Sequence, residues 1–285
     1  MNDQRIAIIC DSGTDVPQDF CQEHDIRIIP LIINYSDGTS YRAFLDIQTD
    51  EVIRRFEDEI PTTSLPSPAD IRAALEQARE DGYEKAILVT ISSGLSATNQ
   101  TAHLVASQME NFPVLVVDTL NIGLGAGLTV MAATRLVERG VPFDTISSIL
   151  DGVVAKTALF FCTKTLKYLH HGGRINEATY RLGSLLNIKP VITCDEEGRY
   201  VTAHKARGWK RALSTEVSLL RERMANKGRV VVGICCTEDA MFDKVEAAVR
   251  EALPDIAEVV RTHFSPELVV HTGPDCIGVT AQPVV

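Results

Sequence analysis

The sequence is short of positive charge and has no long apolar run. Its 28 Lys and Arg face 38 Asp and Glu, so the net charge is -10 and the pI is about 5.2. A protein that binds a nucleic-acid backbone normally presents a basic face, so we expect no nucleic-acid partner. The apolar runs are too short to span a bilayer, and residues 1–13 lack the layout of a signal peptide. Transient contact with a membrane surface stays compatible with this composition.

Paired cysteines are also missing. The seven cysteines are irregularly spaced and none forms a CxxC pair, which argues against a zinc site or a disulfide framework. Five of them lie in apolar, strand-like runs: Cys10, Cys162, Cys194, Cys235 and Cys236. We therefore expect buried, reduced thiols and a cytoplasmic protein.

The usual signatures of nucleotide cofactors, metals and hydrolytic serines are absent as well. GLGAG (123–127) lacks the GxGxxG spacing, and neither a GK[ST] loop nor a GxSxG elbow occurs. Close helix packing explains these glycines better than a dinucleotide does. His170 and His171 are neighbours on a helix end and point in different directions, which disfavours a metal site. We expect neither a cofactor nor a metal.

What the sequence does contain is alternation of strands and helices, which predicts an α/β fold. Residues 1–150 are expected to form a domain of three layers around a mainly parallel sheet. Residues 151–285 are expected to form a second α/β domain with a mixed sheet, including a hairpin that turns at Glu196–Gly198. The boundary is placed near Thr145 to Ala158.

Three segments carry weaker signals. IRIIPLIIN (26–34) reads as one strand with an edge or bend at Pro30. PTTSLPSPAD (61–70) reads as a loop whose Ser67-Pro68-x-Asp70 end opens a helix. The last part of the chain, 266–285, is broken by Gly and Pro between apolar flanks.

A hydroxyl-rich turn follows one of the buried strands. ISSGLSATNQT (91–101) places Ser92, Ser93, Ser96 and Thr98 around one glycine. The hydroxyls could cap the following helix, although one residue would suffice for that. Alternatively, they line the crevice at the carboxyl end of a parallel sheet, where a helix N-terminus favours an anion such as a carboxylate or phosphate. The pattern alone leaves both interpretations open.

Three other segments add potential donors. TTSLPS (62–67) has further hydroxyls on a loop bounded by proline. HTGPDCIG (271–278) and GGRI (172–175) set His271 and Arg174 beside glycines that permit close backbone approach. Together these segments suggest a crevice with converging donors.

These motifs occur in an order that resembles the DegV family of fatty-acid-binding proteins. The resemblance runs from about Arg5 to Val279. The motifs that carry it are CDSGTDVP, TTSLPSP, ISSGLSATNQTA, VVDTLNIGLGAG, TLKYLHHGGRI, IKPVITCDEEGRY, AHKARGWKRAL and HTGPDCIGV.

The resemblance implies a two-domain α/β protein that holds one long-chain fatty acid between its domains. The acyl tail is expected in an apolar tunnel, with the carboxylate on hydroxyls of the hydroxyl-rich loop and turn. In some members a separate fatty acid kinase converts the bound acid into an acyl phosphate for phospholipid synthesis. This chain is then a carrier subunit and not a catalyst.

The resemblance also implies particular site residues. Thr63 and Ser93 match the primary carboxylate ligands. The second-rank candidates are Ser92, Ser96, Arg174 and His271. Arg207, in KARGWKRA, matches a basic segment on which the kinase docks.

Three residues depart from the pattern of many relatives. Leu65 stands where Gln is common, Ala97 where Gly is usual, and Asp275 where a Gly follows His-Thr-Gly-Pro. A carboxylate near His271 would repel an acid headgroup or pair with that histidine. These departures concern the ligand and its headgroup geometry and leave the expected fold unchanged.

Two other classes of function remain as alternatives. One is an enzyme, either a serine hydrolase or a phosphotransferase for a small keto-sugar, because dihydroxyacetone kinases are similar in architecture to this family. It requires a catalytic histidine or a metal cluster in the crevice. The other is a protein that binds lipid to regulate a protein partner.

Overall fold

The computed structural model describes residues 2–184 and 187–285 of the chain. The strands are β1 (Ile6–Asp11), β2 (Ile26–Ile29), β3 (Ile32–Asn34), β4 (Ser40–Arg42), β5 (Thr62–Ser64), β6 (Lys85–Thr90), β7 (Val114–Asp118), β8 (Ala158–Thr163), β9 (Ile188–Cys194), β10 (Tyr200–Arg207), β11 (Val230–Cys236), β12 (Ile256–His263) and β13 (Cys276–Pro283). The α-helices are α1 (Gln18–Glu23), α2 (Thr49–Arg55), α3 (Pro68–Glu80), α4 (Thr98–Ala106), α5 (Leu124–Glu138), α6 (Phe143–Val154), α7 (Lys167–His171), α8 (Glu177–Ser184), α9 (Trp209–Met224), α10 (Phe242–Ala252) and α11 (Pro266–Thr272). Two short 3-10 turns cover Ser12–Thr14 and Asp239–Met241.

The first large sheet is parallel, with strand order β2-β1-β6-β7. Its strands are apolar on both faces because both faces are covered. One face packs against α5 and α6, and the other packs against α3 and α4. The predicted α/β class and the parallel sheet with helices on both sides are confirmed.

Helix α5 lies between the first sheet and the second. Almost every residue from Leu124 to Val137 is buried, as suits a helix with apolar surroundings on two sides. Gly127 allows the helix to approach the turn after β1, because a Cβ there would lie 2.4 Å from the carbonyl oxygen of Thr14. Gly127 of GLGAG therefore serves helix packing, as predicted.

A small antiparallel sheet, β4-β3-β5, lies beside the first sheet. The predicted single strand 26–34 is wrong: Pro30 divides it, so that β2 joins the large sheet and β3 the small one. The predicted loop 61–70 is also wrong in part, because Thr62–Ser64 pairs with β3. Its Ser67 end does open α3, with the Ser67 and Asp70 side chains forming a capping box.

The second large sheet is mixed, with strand order β10-β9-β8-β13-β11-β12. Only β11 and β12 run parallel among its described pairs. The predicted hairpin is confirmed: β9 and β10 are antiparallel around the turn 195–198. The final segment, read only as a broken stretch, forms α11 and the central strand β13.

The predicted domain boundary falls on α6, which packs on α5 and β7 of the first sheet. The chain enters the second sheet afterwards, at Ala158. Helices α5 and α11 contact elements of both halves. The limits 1–150 and 151–285 stay a prediction.

Candidate functional site

The crevice begins at the carboxyl ends of β1 and β6. The chain leaves β1 for β2 on one side, while β6 lies on the other, so the strand order reverses here. Such a switch point is where open α/β sheets bind ligands. Asp11 ends β1, and its Oδ2 accepts a hydrogen bond from the backbone N–H of Ile91 at 2.8 Å. The first residue of the hydroxyl-rich turn is thereby fixed to β1.

Ser92 connects this turn to the second sheet. Its Oγ donates to the carbonyl of Gly198 at 2.8 Å and accepts from the N–H of Gly94 at 3.0 Å. Gly198 has a positive φ of 71°, and a Cβ there would lie 1.9 Å from Ser92 Oγ. The Ser92 hydroxyl thus holds the β9–β10 hairpin against the first sheet.

The other hydroxyls of the turn differ in how they are engaged. Ser96 Oγ lies 2.8 Å from Thr98 Oγ1 and accepts from the Thr98 N–H at 3.3 Å, just where α4 begins. Ser93 donates its backbone N–H to Asp118 Oδ1 at 3.2 Å. Within the described residues its hydroxyl makes no hydrogen bond, so local bonding occupies Ser92 and Ser96 but leaves the side chain of Ser93 unused.

Thr63 and His271 meet although they are 208 positions apart, with Thr63 Oγ1 lying 2.7 Å from His271 Nε2. Burial, together with the positive charge of Arg174 and His171, lowers the pKa of His271 to about 3. The ring is therefore neutral near neutral pH. Its Nδ1 faces Gly172, which leaves the space that a Cβ would fill, and has no partner in the described part of the chain.

Arg174 brings a positive charge to the same place. Its guanidinium donates to the carbonyls of Gly172 at 2.6 Å and Leu95 at 3.3 Å. No carboxylate of residues 2–184 or 187–285 pairs with it. A half-buried cation without an anionic partner is suited to an anionic ligand.

These side chains surround a cavity of about 270 Å³, called the mouth cavity below. It is lined by Leu31, Thr63, Ser64, Leu65, Ile91, Leu95, Ser96, Ala97, Ile122, Arg174, Tyr200, Glu267, Leu268 and His271. Four predicted site residues are brought together in this wall, whereas Ser92 and Ser93 lie in the turn beside it. The predicted set of ligands stays a prediction.

Among the three departures, Leu65 and Ala97 line the mouth cavity and Asp275 does not. Asp275 Oδ1 pairs with Lys164 Nζ at 2.5 Å. The suggested pairing of this carboxylate with His271 is wrong, since Asp275 pairs with Lys164 and does not line the cavity that contains His271.

A small apolar cavity, called the apolar channel below, adjoins the mouth cavity between the second sheet, α5 and α11. Ile122, Tyr200 and Leu268 line both spaces. The channel is narrow, with about 20 Å³ of free space. Its remaining walls are Gly123, Leu124, Leu159, Phe161, Cys235, Phe264, Thr272, Gly278 and Thr280.

A third, polar cavity of about 470 Å³ opens outside the mouth cavity and is called the outer cavity below. Leu95, Arg174 and Tyr200 line both. The outer cavity adds Asn176 and Arg199. Arg174 thus lies where the outer cavity and the mouth cavity adjoin.

Glu267 is a carboxyl-bearing residue of the mouth cavity that the sequence did not predict. It lines the mouth cavity and is only 1% exposed. Burial raises its pKa to about 7, although the Ser12 hydroxyl bonded to it acts in the opposite direction. Ser-Pro-Glu is an ordinary start for a helix, so no signal in the sequence distinguished this carboxyl.

The requirements of the enzyme alternatives are only partly met. His170 pairs with Glu177 at 2.8 Å and stacks on Tyr180. Over residues 2–184 and 187–285 no group of three His, Cys, Asp or Glu is arranged to hold a metal. Thr63 and His271 form a hydroxyl–imidazole pair, but a catalytic triad also needs a group that orients the second ring nitrogen. In the described structure Nδ1 of His271 lacks such a group.

The cysteines and the helices bear on the setting of this site. All seven cysteines are free thiols, and all except the half-buried Cys194 are buried. None of the helices in the described ranges is both long enough and apolar enough to cross a membrane.

The fold and the site define an α/β protein with an anion-suited mouth and an apolar channel between two sheets. A family model described as "Uncharacterised protein, DegV family" matches residues 5–284. The chain belongs to the DegV family, and the resemblance seen in the sequence is confirmed.

Similar proteins cover the chain almost completely. A DegV domain-containing protein of Clostridium acetobutylicum is 33% identical over 278 residues, covering 97% of this chain and 98% of the relative. Another from Clostridium perfringens is 33% identical over 282 residues, covering 98% and 99%. A solved structure described as fatty acid binding of a DegV family protein from Thermus thermophilus is 32% identical, with a TM-score of 0.90 and coverage of 98% and 99%.

Proposed function

We propose that this protein binds a long-chain fatty acid with its carboxylate in the mouth cavity and its tail in the apolar channel. The observation that carries the proposal is that the two spaces adjoin, with Ile122, Tyr200 and Leu268 lining both. The fatty-acid-binding structure of the Thermus thermophilus relative supports the same ligand class.

The tail supplies most of the affinity. Each methylene buried contributes about 0.8 kcal/mol, so a long acyl chain is held mainly by its hydrocarbon. The free space of the channel, about 20 Å³, is the size of roughly one water molecule. Entry of the tail therefore requires the walls formed by Phe161, Leu124 and Leu268 to move apart.

The head is held by a mixture of neutral donors and one cation. Thr63, Ser93 and Ser96 offer hydroxyls, and the neutral ring of His271 fixes the Thr63 side chain at 2.7 Å. Arg174 supplies the positive charge. Ser92 acts indirectly, because its hydroxyl already positions the turn against Gly198.

Lipid extraction tests this proposal. The purified protein should contain long-chain fatty acid detectable by mass spectrometry, and Thr63→Ala combined with Ser93→Ala should lower the bound amount. Ser107→Ala is the matched control, since that exposed hydroxyl bonds only to the carbonyl of Leu104 on α4. Equal acid content in the double variant and the control would contradict the assignment of Thr63 and Ser93.

We further propose that the bound acid is presented to a separate fatty acid kinase in the cytoplasm. The kinase would transfer the terminal phosphoryl group of ATP to a carboxylate oxygen, giving an acyl phosphate for phospholipid synthesis and releasing ADP. This chain then acts as a carrier without catalysis. The free thiols support the cytoplasmic setting.

The edge strand β10 is suited to kinase docking. It contributes Tyr200 to the mouth cavity and carries Lys205 and Arg207 exposed on its surface, followed by the exposed Lys210 and Arg211. A basic patch on a protein of net charge -10 favours an acidic partner. Arg207→Glu should slow acyl-phosphate formation by the kinase and leave acid binding unchanged. Arg223→Glu, on the far end of α9, is the control and should change neither acyl-phosphate formation nor acid binding. Normal phosphorylation by the Arg207→Glu protein would exclude this docking surface, and bound acid that no kinase phosphorylates would favour a regulatory role.

A further inference from the structure

Glu267 is a buried carboxyl group in the wall of the space assigned to another carboxyl group. It is 1% exposed, and one of its oxygens, Oε2, makes no hydrogen bond in the described structure, although the Ser265 hydroxyl, which also lacks a partner there, is close enough to lower the pKa of this carboxyl group. An unpaired buried charge is expensive, so this oxygen needs either a proton or a ligand.

The hydrogen bonds of Ser12 determine where that proton sits. Ser12 Oγ accepts from the backbone N–H of Leu31 at 2.9 Å. The same hydroxyl donates its hydrogen to Glu267 Oε1. Because Oε1 is an acceptor, the carboxyl proton belongs on Oε2, the oxygen without a partner.

The charged surroundings of Glu267 are mainly acidic on one side. The negative charge of Glu267 raises the pKa of Asp11 on β1 and of Asp15 in the turn after it. Arg174, Tyr200 and His271 share the mouth cavity with it.

The elements packed against α11 add little. β3 and β5 carry no ionisable side chain, and in α2 Glu51 pairs with Arg55 while Asp50 and Arg54 are exposed. In α7, His170 pairs with Glu177, and Lys167 and His171 are exposed. Only Arg174 thus offers positive charge within the cavity itself.

We propose that Glu267 is a further headgroup ligand. Its protonated Oε2 donates a hydrogen bond to the fatty acid carboxylate, so that acid binding is coupled to the uptake of one proton. This inference rests on the proposed fatty acid binding. It adds a residue and a pH dependence to that function.

The physical reason is that two carboxylates in contact repel each other, and a proton between them removes this repulsion. A carboxyl–carboxylate hydrogen bond is short and strong, and the pair titrates as one unit. Burial already raises the pKa of Glu267 to about 7, and an incoming negative charge raises it further. Below that pH the proton is present before the acid arrives, and above it the proton is taken from solution.

The test compares the affinity for palmitic acid at about pH 6 and about pH 9, on either side of the Glu267 titration. Affinity of the natural protein should fall above neutral pH by up to about tenfold per pH unit. Glu267→Gln keeps an acceptor for Ser12 and an amide donor that does not titrate. Its affinity should match the natural protein at the lower pH and exceed it at the higher one.

Glu216→Gln is the matched control. Glu216 is also 1% exposed, with a raised pKa caused by burial and one unpartnered oxygen, but it lies on α9 away from the mouth cavity. Its pH profile for palmitic acid should follow that of the natural protein. The ionisation of palmitic acid itself affects all three proteins equally.

Two further measurements make the result decisive. Titration calorimetry in two buffers of different ionisation enthalpy should show uptake of about one proton per acid at alkaline pH, and none in Glu267→Gln. Ser12→Ala removes the hydrogen bond that lowers the Glu267 pKa, so its binding should persist to higher pH. Identical pH profiles for the natural protein and Glu267→Gln overturn the role of Glu267. Loss of binding by every protein at every pH instead overturns the proposed fatty acid binding.

Discussion

At the scale of single residues, three carboxyl groups are buried together where β1 ends. Burial and mutual repulsion raise the pKa of Asp11 to about 8 and that of Asp15 well above its usual range. Glu267 completes the group with a pKa of about 7. The fold tolerates them because backbone N–H groups of Ile91 and Ser265 donate to the two aspartates and a proton remains on part of the cluster.

The first prediction concerns stability and pH. The folded pKa values of Asp11 and Glu267 lie above the unfolded ones, so the stability they contribute is present below about pH 4 and lost as the pH rises through about 7 to 8. The melting temperature should therefore fall as the pH rises through about 7 to 8. His271 has a lowered pKa, so its contribution is present above about pH 6.5 and is lost as the pH falls towards 3.

Asp11→Asn should flatten the alkaline part of this profile, since the amide oxygen still accepts from Ile91. Asp46→Asn is the control, because Asp46 is exposed and its pKa is lowered to about 2 by Arg42. A profile of Asp11→Asn as steep as that of the natural protein would show that Asp11 does not titrate in this range.

The residue scale also shows the limit of what the sequence could predict about the site. The hydroxyl clusters and the donors His271 and Arg174 were visible because they stand beside glycines and strand ends. That Thr63 bonds to His271 was not, since the contact spans 208 positions. Glu267 was hidden because burial, and not its neighbours in the chain, makes it unusual.

At the scale of elements, the packing of α5 requires glycine, which has no side chain, where the helix approaches its neighbours most closely. Gly127 packs on the backbone of Thr14, which cannot move away without disturbing β1. Gly152 in α6 has open space around it. The two helical glycines therefore provide a direct comparison.

The second prediction uses this pair. Gly127→Ala should destabilise the protein by roughly 1–3 kcal/mol through overpacking, despite the better helix propensity of alanine. Gly152→Ala should stabilise it by up to about 1 kcal/mol. Urea unfolding measures both, and equal effects of the two substitutions would exclude tight packing at Gly127.

The third prediction concerns the β9–β10 hairpin. Gly198→Ala should push the hairpin away from Ser92 and reduce the retention of fatty acid, because the new Cβ would overlap Ser92 Oγ. Gly38→Ala is the control, since Gly38 has a similar positive φ of 89° and nothing within 4 Å. If both variants retain acid like the natural protein, the Ser92–Gly198 contact does not shape the mouth.

Elements with a long periodic pattern were predictable, and short ones were not. The strands β1, β6 and β7 of the first sheet and the helices α3, α9 and α10 follow from continuous apolar runs or helical spacing. β5 has three residues, too few to show a period, and its partner β3 is created by the break at Pro30. Residues 266–285 form α11 and β13 because tertiary contacts at the centre of the second sheet outweigh the Gly and Pro signals.

At the scale of the whole molecule, the channel lies where the second sheet faces α5 and α11. Its free volume is small, about 20 Å³. In the proposed function, contacts with the acyl tail replace contacts between these walls, so that the two halves and the ligand pack as one unit.

The fourth prediction follows from that exchange. Removal of lipid should lower the melting temperature, and palmitic acid should restore it, with about 2.7 kcal/mol of added stability when the free acid is 100 times its Kd. Hydrogen exchange should slow in β8 and α11. A short acid with the same headgroup is the control and should have little effect, whereas equal stabilisation by both acids would place the tail outside the channel.

The position of α5 has a consequence for the history of this chain. Both sides of the helix are buried, by the first sheet on one side and by the second on the other. Either half alone would expose an apolar surface to solvent and would tend to aggregate. We therefore expect recombination to keep the two halves together. Transfer of one half to another protein requires a new apolar surface that packs against the exposed side of the helix.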